Sequence, residues 1–108
     1  MQGTKYKRQL MTHVEVLGML RTQPDLLDSP LLWTRLKQKR GHASGLYVSC
    51  LDLWERLLEA RDLDDLERNA LGSDDHAGMM RAVSPLGCLL SDEQRVDINH
   101  RVAQALAV

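Results

Sequence analysis

Apolar residues recur along the chain every three or four positions, in segments separated by proline, glycine and capping residues. The first segment, residues 5–22, ends before Pro24, because the residue that precedes a proline avoids helical geometry. The second begins at Ser29 and Pro30, a capping residue followed by one that the first turn tolerates, and ends at Gly41. Because this spacing is that of an α-helix, the pattern predicts two successive helices.

Residues 45–61 carry the strongest amphipathic pattern. Their apolar positions form two adjacent stripes that cover about half of the helix circumference, more than the ~100° stripe of an ordinary surface helix. A helix with so wide an apolar face contacts two partners at once, so we expect this segment at the centre of the fold. One stripe is Leu46, Cys50, Leu53 and Leu57, and the other is Tyr47, Leu51, Trp54 and Leu58.

Capping signals predict shorter helices in the rest of the chain. Asp62 is expected to cap a helix that Gly72 ends, and Ser73 to start another. Serine before proline marks a further start at residues 84–85, and residues 91–94 form a capping box of the Ser-x-x-Gln type. The predicted fold is therefore all-α, a compact bundle of five to six short helices.

The amino-acid composition favours the same fold. The chain contains 20 Leu, 8 Ala and 5 Met, which lose little side-chain freedom in a helix, against 7 Val and 1 Ile, which favour strands. Its 108 residues correspond to one domain, and residues 1–10 are a disordered extension outside it if translation starts at Met11. With 44% hydrophobic and 27% charged residues, a disordered or collagen-like chain is excluded.

The sequence contains neither a membrane span nor a secretion signal. Its longest charge-free stretches, residues 41–51 and 82–91, are shorter than the ~18 apolar residues that a span needs. His13 and Glu15 interrupt the apolar run that a signal peptide requires. Two cysteines are too few for a disulfide scaffold. We therefore expect a cytoplasmic protein with reduced thiols and no membrane partner.

Charge is distributed unevenly along the chain. Residues 1–42 hold 8 basic and 3 acidic residues, a net charge of +5, whereas residues 43–108 hold 6 and 12, a net charge of −6. This asymmetry is expected if the first half forms a basic surface for an anionic partner. It is equally expected if the two halves attract each other within one chain or across a dimer. We favour the second interpretation, because overall charge balance does not by itself define a binding site.

A basic run at the end of the second segment is the best candidate for nucleic-acid contact. Its cations fall on both sides of an apolar stripe, as expected for snorkelling side chains rather than for a helix that reads a groove. Phosphate contact tolerates such dispersed cations, so the alternative function is a small DNA-binding transcriptional regulator. The residues that would contact phosphates are Lys5, Lys7, Arg8, Arg35, Lys37, Lys39 and Arg40.

The sequence predicts neither a metal site nor an enzyme. The cysteines form no C-x-x-C pair and no two histidines have metal-ligand spacing, so no metal and no cofactor are expected. Cys50 lies on an apolar face, where a thiol is inert, and Cys88 near a helix start has no evident base. His13 and Asn99 interrupt apolar faces, and we expect each to be a buried polar group with hydrogen-bond partners.

These observations favour a non-enzymatic protein–protein interaction or regulatory module that forms a homodimer. The apolar face of residues 46–58, extended by two methionines that adapt to a partner helix, is the predicted contact surface. In the competing interpretation, the short helices after Asp62 cover this face within one monomer. The predicted partner-binding residues are Leu46, Cys50, Leu53, Trp54, Leu57, Leu58, Met79 and Met80.

Overall fold

Six α-helices joined by short turns make up the fold in the computed structural model, which describes residues 3–106. Two 3-10 turns, Pro24–Asp28 and Leu86–Leu89, complete the described part of the chain, and that part contains no strand. The predicted all-α bundle is confirmed. The helices are α1 (Thr4–Thr22), α2 (Pro30–His42), α3 (Leu46–Ala60), α4 (Leu63–Ala70), α5 (Asp75–Ala82) and α6 (Asp92–Leu106).

Two helices share the centre of the bundle. α1 packs against α4, α5 and α6, whereas α3 packs against α2, α4 and α5. The central position predicted for α3 is therefore shared with α1. The radius of gyration is 13.6 Å, close to the ~13 Å of a compact chain of this length. The largest side chains that these two helices bury completely are Val16, Leu17, Leu20, Leu51, Trp54 and Leu58.

Local capping explains most of the helix ends. Asp62 caps α4 by accepting a hydrogen bond from the backbone nitrogen of Asp65 at 3.2 Å, as predicted. The capping box of α6 is also confirmed, because the Gln94 side chain accepts from the Ser91 nitrogen at 2.8 Å and the Ser91 hydroxyl accepts from the Gln94 nitrogen at 3.2 Å. These reciprocal bonds satisfy two backbone donors that a helix start leaves free.

Two of the predicted helix boundaries are wrong. Gly41 lies within α2 rather than ending it; the glycine with a positive φ, 62°, is Gly45, which precedes α3. α5 is capped by Asp74 and not by Ser73, because the Asp74 carboxylate accepts from the Ala77 nitrogen at 2.9 Å. α2 ends instead at His42 with Ala43 in an extended conformation, and at α5 a neighbouring residue with the same capping ability takes the predicted role.

The N-terminal residues continue the first helix. α1 begins at Thr4, so residues 4–10 belong to it, and Met1 and Gln2 lie outside the described residues. No helix in residues 3–106 is long and apolar enough to cross a bilayer.

Ion pairs connect the basic first half of the chain to the acidic second half. Arg21 on α1 contacts Asp64 at 2.5 Å and Glu67 at 2.9 Å, both on α4. Arg40 on α2 contacts Asp52 on α3 at 2.6 Å. These contacts agree with the favoured interpretation of the charge asymmetry in its first form, attraction between the halves of one chain.

Candidate functional site

Most of the predicted partner-binding residues lie in the core of the monomer. α4 and α5 pack on α3, as in the competing interpretation, and the second apolar stripe is buried except for Tyr47, which is 43% exposed. Leu46 is exposed, and Leu53 and Met79 are half-buried. In the monomer this face therefore contributes to the core, because its largest side chains are already removed from water. The buried members are Cys50, Trp54, Leu57, Leu58 and Met80.

The predicted nucleic-acid residues do not form one surface. Arg40 is ion-paired with Asp52 and lies 3.5 Å from Glu55, so its charge is compensated within the chain. Lys37 is exposed and does not contribute to the cavity that other predicted residues line. Three of the predicted residues, in contrast, line one cavity: Arg8, Arg35 and Lys39.

This cavity, the basic cleft, has a volume of about 570 Å³, within the range of small-molecule sites. α1, α2 and α6 each present to it side chains four residues apart, which lie on the same face of a helix. The end of α5 and the Leu86–Leu89 turn close the remaining wall. The paired residues are Arg8 with Thr12 and Gln9 with His13 on α1, Arg35 with Lys39 on α2, and Arg95 with Asn99 on α6.

The wall of the basic cleft combines five cationic side chains with no carboxylate among the described residues. Five of the six arginines outside the cleft have acidic partners within 4 Å in the described chain, and Arg56 is the exception: the five are Arg21, Arg40, Arg61, Arg68 and Arg101. No such partner among residues 3–106 contacts the cations of the cleft, and their positive charge is uncompensated. These cations are Arg8, Arg35, Lys39, Arg81 and Arg95.

Arg81 is the buried cation of the cleft, with only 3% of its surface exposed. Its Nη1 donates hydrogen bonds to the carbonyl oxygens of Ala70 at 2.7 Å and Gly72 at 2.8 Å. Its guanidinium carbon lies 5.1 Å from the centroid of the Tyr6 ring, within reach of a cation–π interaction. Nε and Nη2 find no acceptor among the described residues. A buried cation normally has an anionic partner, because removing a charge from water is costly.

His13 is the second buried polar residue of the cleft wall. Its Nδ1 lies 2.6 Å from the carbonyl oxygen of Gln9, which can only accept, so Nδ1 carries the hydrogen. Nε2 has no partner within residues 3–106, and the expectation of a fully satisfied histidine is therefore only half met. Burial, and to a lesser extent the charge of Arg81, lower the pKa of His13. The ring is consequently neutral at pH 7.

The environment of the cleft also affects Lys39 and Cys88. Burial and the neighbouring charge of Arg35 lower the pKa of Lys39, as expected where cations crowd without acids. Burial raises the pKa of the Cys88 thiol, against smaller opposing effects of Arg35 and Arg95. Cys88 therefore remains protonated, which makes it a poor nucleophile and metal ligand. The described residues include no group of three or more His, Cys, Asp or Glu side chains that could hold a metal ion.

Sequence reasoning missed two cations of the cleft and misplaced one polar residue. Asn99 is exposed at the wall of the cleft, so the expectation that it is buried is wrong. Arg95 is exposed on α6, and the sequence around it gave no sign of a site. The burial of Arg81 could have been predicted from helical spacing, since it lies four residues after the buried Ala77, on the apolar face of α5.

Comparison with known proteins finds no protein-family model, curated protein or solved structure that matches this chain. The charge and geometry of the basic cleft are therefore the basis for a functional conclusion.

Proposed function

We propose that this protein is a non-enzymatic regulatory module that binds an anionic ligand in the basic cleft. The observation that carries the proposal is Arg81, a buried guanidinium with two unpaired nitrogens, in a wall where the described residues offer no carboxylate. An anion bound there would supply the missing partner and offset the cost of burying the charge.

Phosphate and carboxylate groups fit this wall best. A planar guanidinium donates two parallel hydrogen bonds to either group, and such charge-assisted bonds are stronger than neutral ones. The hydroxyls of Thr12 and Ser84 and the amide of Asn99 also line the cleft and add neutral donors. Because these groups bind and orient anions, and Cys88 is held as a thiol, the proposal is for binding rather than catalysis.

The concave site argues for a ligand that enters a cavity rather than for duplex DNA. A DNA-reading helix projects its cations from a convex surface into a groove. Here Arg35 and Lys39 face a cavity that three further helices enclose, and Arg40 is bound to acids of α3. We therefore do not extend the proposal to a transcriptional regulator.

Anion titration at constant ionic strength tests the proposal. Phosphate or sulfate, exchanged for chloride, should raise the Tm of the wild type, because a ligand that binds only the folded state stabilises it. The variants Arg8→Gln and Arg35→Gln should lose most of this increase. Arg56→Gln, which removes an exposed arginine outside the cleft, is the matched control and should retain it. Equal Tm increases in all four proteins would refute the cleft as the site.

A second proposal, self-association, rests on the first turn of α3. Leu46 is 72% exposed and Val48 is 43% exposed, which makes a local apolar surface. A two-fold dimer that pairs these two side chains with their copies would cover it. Light scattering across a concentration series should then detect a dimer that Leu46→Glu dissociates without unfolding. Leu31→Glu, at an exposed leucine of α2, is the control. A wild type that is monomeric at every concentration would overturn this proposal.

A further inference from the structure

We propose, resting on the anion-binding function proposed above, that the ligand is a nucleoside diphosphate or triphosphate. Its phosphates would occupy the basic cleft, and its base would lie against Tyr47 in an adjoining pocket. Three features support this assignment: the number of uncompensated cations, the chemistry of the second pocket, and the burial of Arg81.

The positive charge of the cleft favours binding of a multivalent anion. Five cations line it with no described carboxylate, and His13 is neutral because its pKa is lowered. A single monovalent anion would leave most of this charge uncompensated. Two or three linked phosphates carry several negative charges in one small molecule. They can also accept hydrogen bonds at once from groups on α1, α2, α5 and α6.

The adjoining pocket, here called the tyrosine pocket, has a volume of about 580 Å³. Arg35 and Lys39 line both cavities, so the two pockets meet along one face of α2. Leu51 and Val83 give the tyrosine pocket an apolar part, and Tyr47 gives it a half-exposed aromatic ring. Purine and pyrimidine bases stack on such rings. The polar groups that could bind the edge of a base are Gln38, His42 and Ser44.

The burial of Arg81 favours a free nucleotide over a nucleic-acid strand. Arg81 lines the cleft with only 3% of its surface exposed, so the end of a phosphate chain would fit beside it better than an internal phosphodiester, which continues as a chain on both sides. The acidic residues that dominate positions 43–108 would also repel a long polyanion. A short ligand with its charge at one end avoids this repulsion.

Calorimetric titration without divalent cations tests the assignment on the full chain. The ligands are the four ribonucleoside triphosphates, inorganic tripolyphosphate, inorganic phosphate and a ten-nucleotide single strand. The tightest nucleoside triphosphate should bind roughly 5- to 20-fold more strongly than tripolyphosphate, the lower part of the range for stacking of one base. Tripolyphosphate should in turn bind at least roughly tenfold more strongly than phosphate, because it makes more charge-assisted hydrogen bonds.

Two substitutions separate the pockets. Tyr47→Ala should weaken nucleotide binding by roughly the same 5- to 20-fold and leave tripolyphosphate binding unchanged. Val48→Ala is the matched control, since Val48 has the same exposure as its neighbour but lies outside both pockets. Arg35→Gln should weaken both ligands, because Arg35 lines both cavities. Circular dichroism should show unchanged folding in all three variants.

Each contrary outcome identifies which proposal fails. Phosphate binding as strong as triphosphate binding would overturn the nucleotide assignment and leave the anion-binding function intact. Equal affinity for tripolyphosphate and every nucleotide, or a Tyr47→Ala variant that binds nucleotides normally, would overturn the base-binding role of the tyrosine pocket. If the single strand binds more than tenfold tighter than any nucleotide, the nucleotide assignment is wrong and the ligand is a nucleic acid. No binding of any anion would overturn both proposals.

Discussion

The indole Nε1 of Trp54 donates a hydrogen bond of 2.9 Å to the carbonyl oxygen of Met80. Both residues are fully buried, so the bond joins α3 to the last turn of α5 inside the core. Met80 directly precedes Arg81, and the ring of His13 stacks on Trp54 with 6.2 Å between centroids. One core side chain therefore supports both of the buried polar residues that line the basic cleft.

Replacement of Trp54 should destabilise the protein strongly. Trp54→Phe leaves the buried Met80 carbonyl without its donor and opens a small cavity, which should lower the free energy of unfolding by about 2–4 kcal/mol. Urea denaturation followed by far-UV circular dichroism measures this loss.

Trp33→Phe is the matched control for this substitution. The Trp33 indole donates a similar bond of 2.8 Å to the Leu27 carbonyl, but its side chain is only half-buried. Water can replace the missing donor there, so we expect a loss of about 1 kcal/mol. If the two variants lose the same stability, the supporting role of Trp54 is wrong.

His13 should make stability depend on pH near neutrality. Burial lowers its pKa in the folded state below the ordinary value of 6.5, so the unfolded chain binds more protons as the pH falls through 6.5. Stability is then fully present above pH 6.5 and decreases below it until the lowered pKa is reached. The slope that one histidine contributes is at most about 1.4 kcal/mol per pH unit.

The His13→Phe variant should lose this slope, because phenylalanine preserves the ring stacked on Trp54 but does not titrate. Tm measurements between pH 7.5 and 5.5 compare it with the wild type and with His100→Gln, a substitution at an exposed histidine of α6. A slope that persists in His13→Phe would assign the pH dependence to other groups.

Two serines before helices should differ sharply in their contribution to stability. The Ser91 hydroxyl accepts the capping bond from the Gln94 nitrogen, so Ser91→Ala should cost about 1 kcal/mol. Ser29 precedes α2 but makes no capping bond through its side chain within the described structure, so Ser29→Ala should change stability by less than about 0.3 kcal/mol. Thermal unfolding of both variants compares the costs, and equal costs would contradict the assigned roles.

Features that depend on short-range interactions could be predicted from the sequence, whereas features that depend on packing between distant segments could not. The helices and the caps at Asp62 and Ser91 depend on neighbours within four residues, and the sequence contains that information. Whether the face around Trp54 lies in a core or an interface depends on where α4 and α5 pack. The amphipathic pattern of α3 alone favours neither arrangement.

The basic cleft could not be predicted from the sequence, because it also depends on how distant helices pack together. Its cations come from four helices that are far apart in the chain, and only packing brings Arg8 and Arg81 to one cavity. Helical spacing did place Arg35 and Lys39 together, four residues apart. The pairing of Arg40 with Asp52, in contrast, removed a cation that the sequence had grouped with them.

The crowded cations of the cleft should reduce stability when no anion is bound. Arg35 and Lys39 lie four residues apart on α2, and the charge of Arg35 contributes to the lowered pKa of Lys39. Arg35→Gln should therefore raise the free energy of unfolding by about 0.5 kcal/mol at low ionic strength, or ~2–4 °C in Tm. Screening should abolish the gain at ~1 M salt, where the Debye length is about 3 Å.

Arg56→Gln separates this effect from a general benefit of removing charge. Arg56 is exposed on α3, where the acids Asp52 and Glu59 lie four residues before it and three after, so its loss should not stabilise the protein. Saturating tripolyphosphate should reverse the order of the wild type and Arg35→Gln, because the ligand stabilises the wild type more. Such a reversal is characteristic of a binding site that is destabilising until it is occupied. If Arg35→Gln is the less stable protein both with and without the anion, Arg35 contributes to folding rather than to binding.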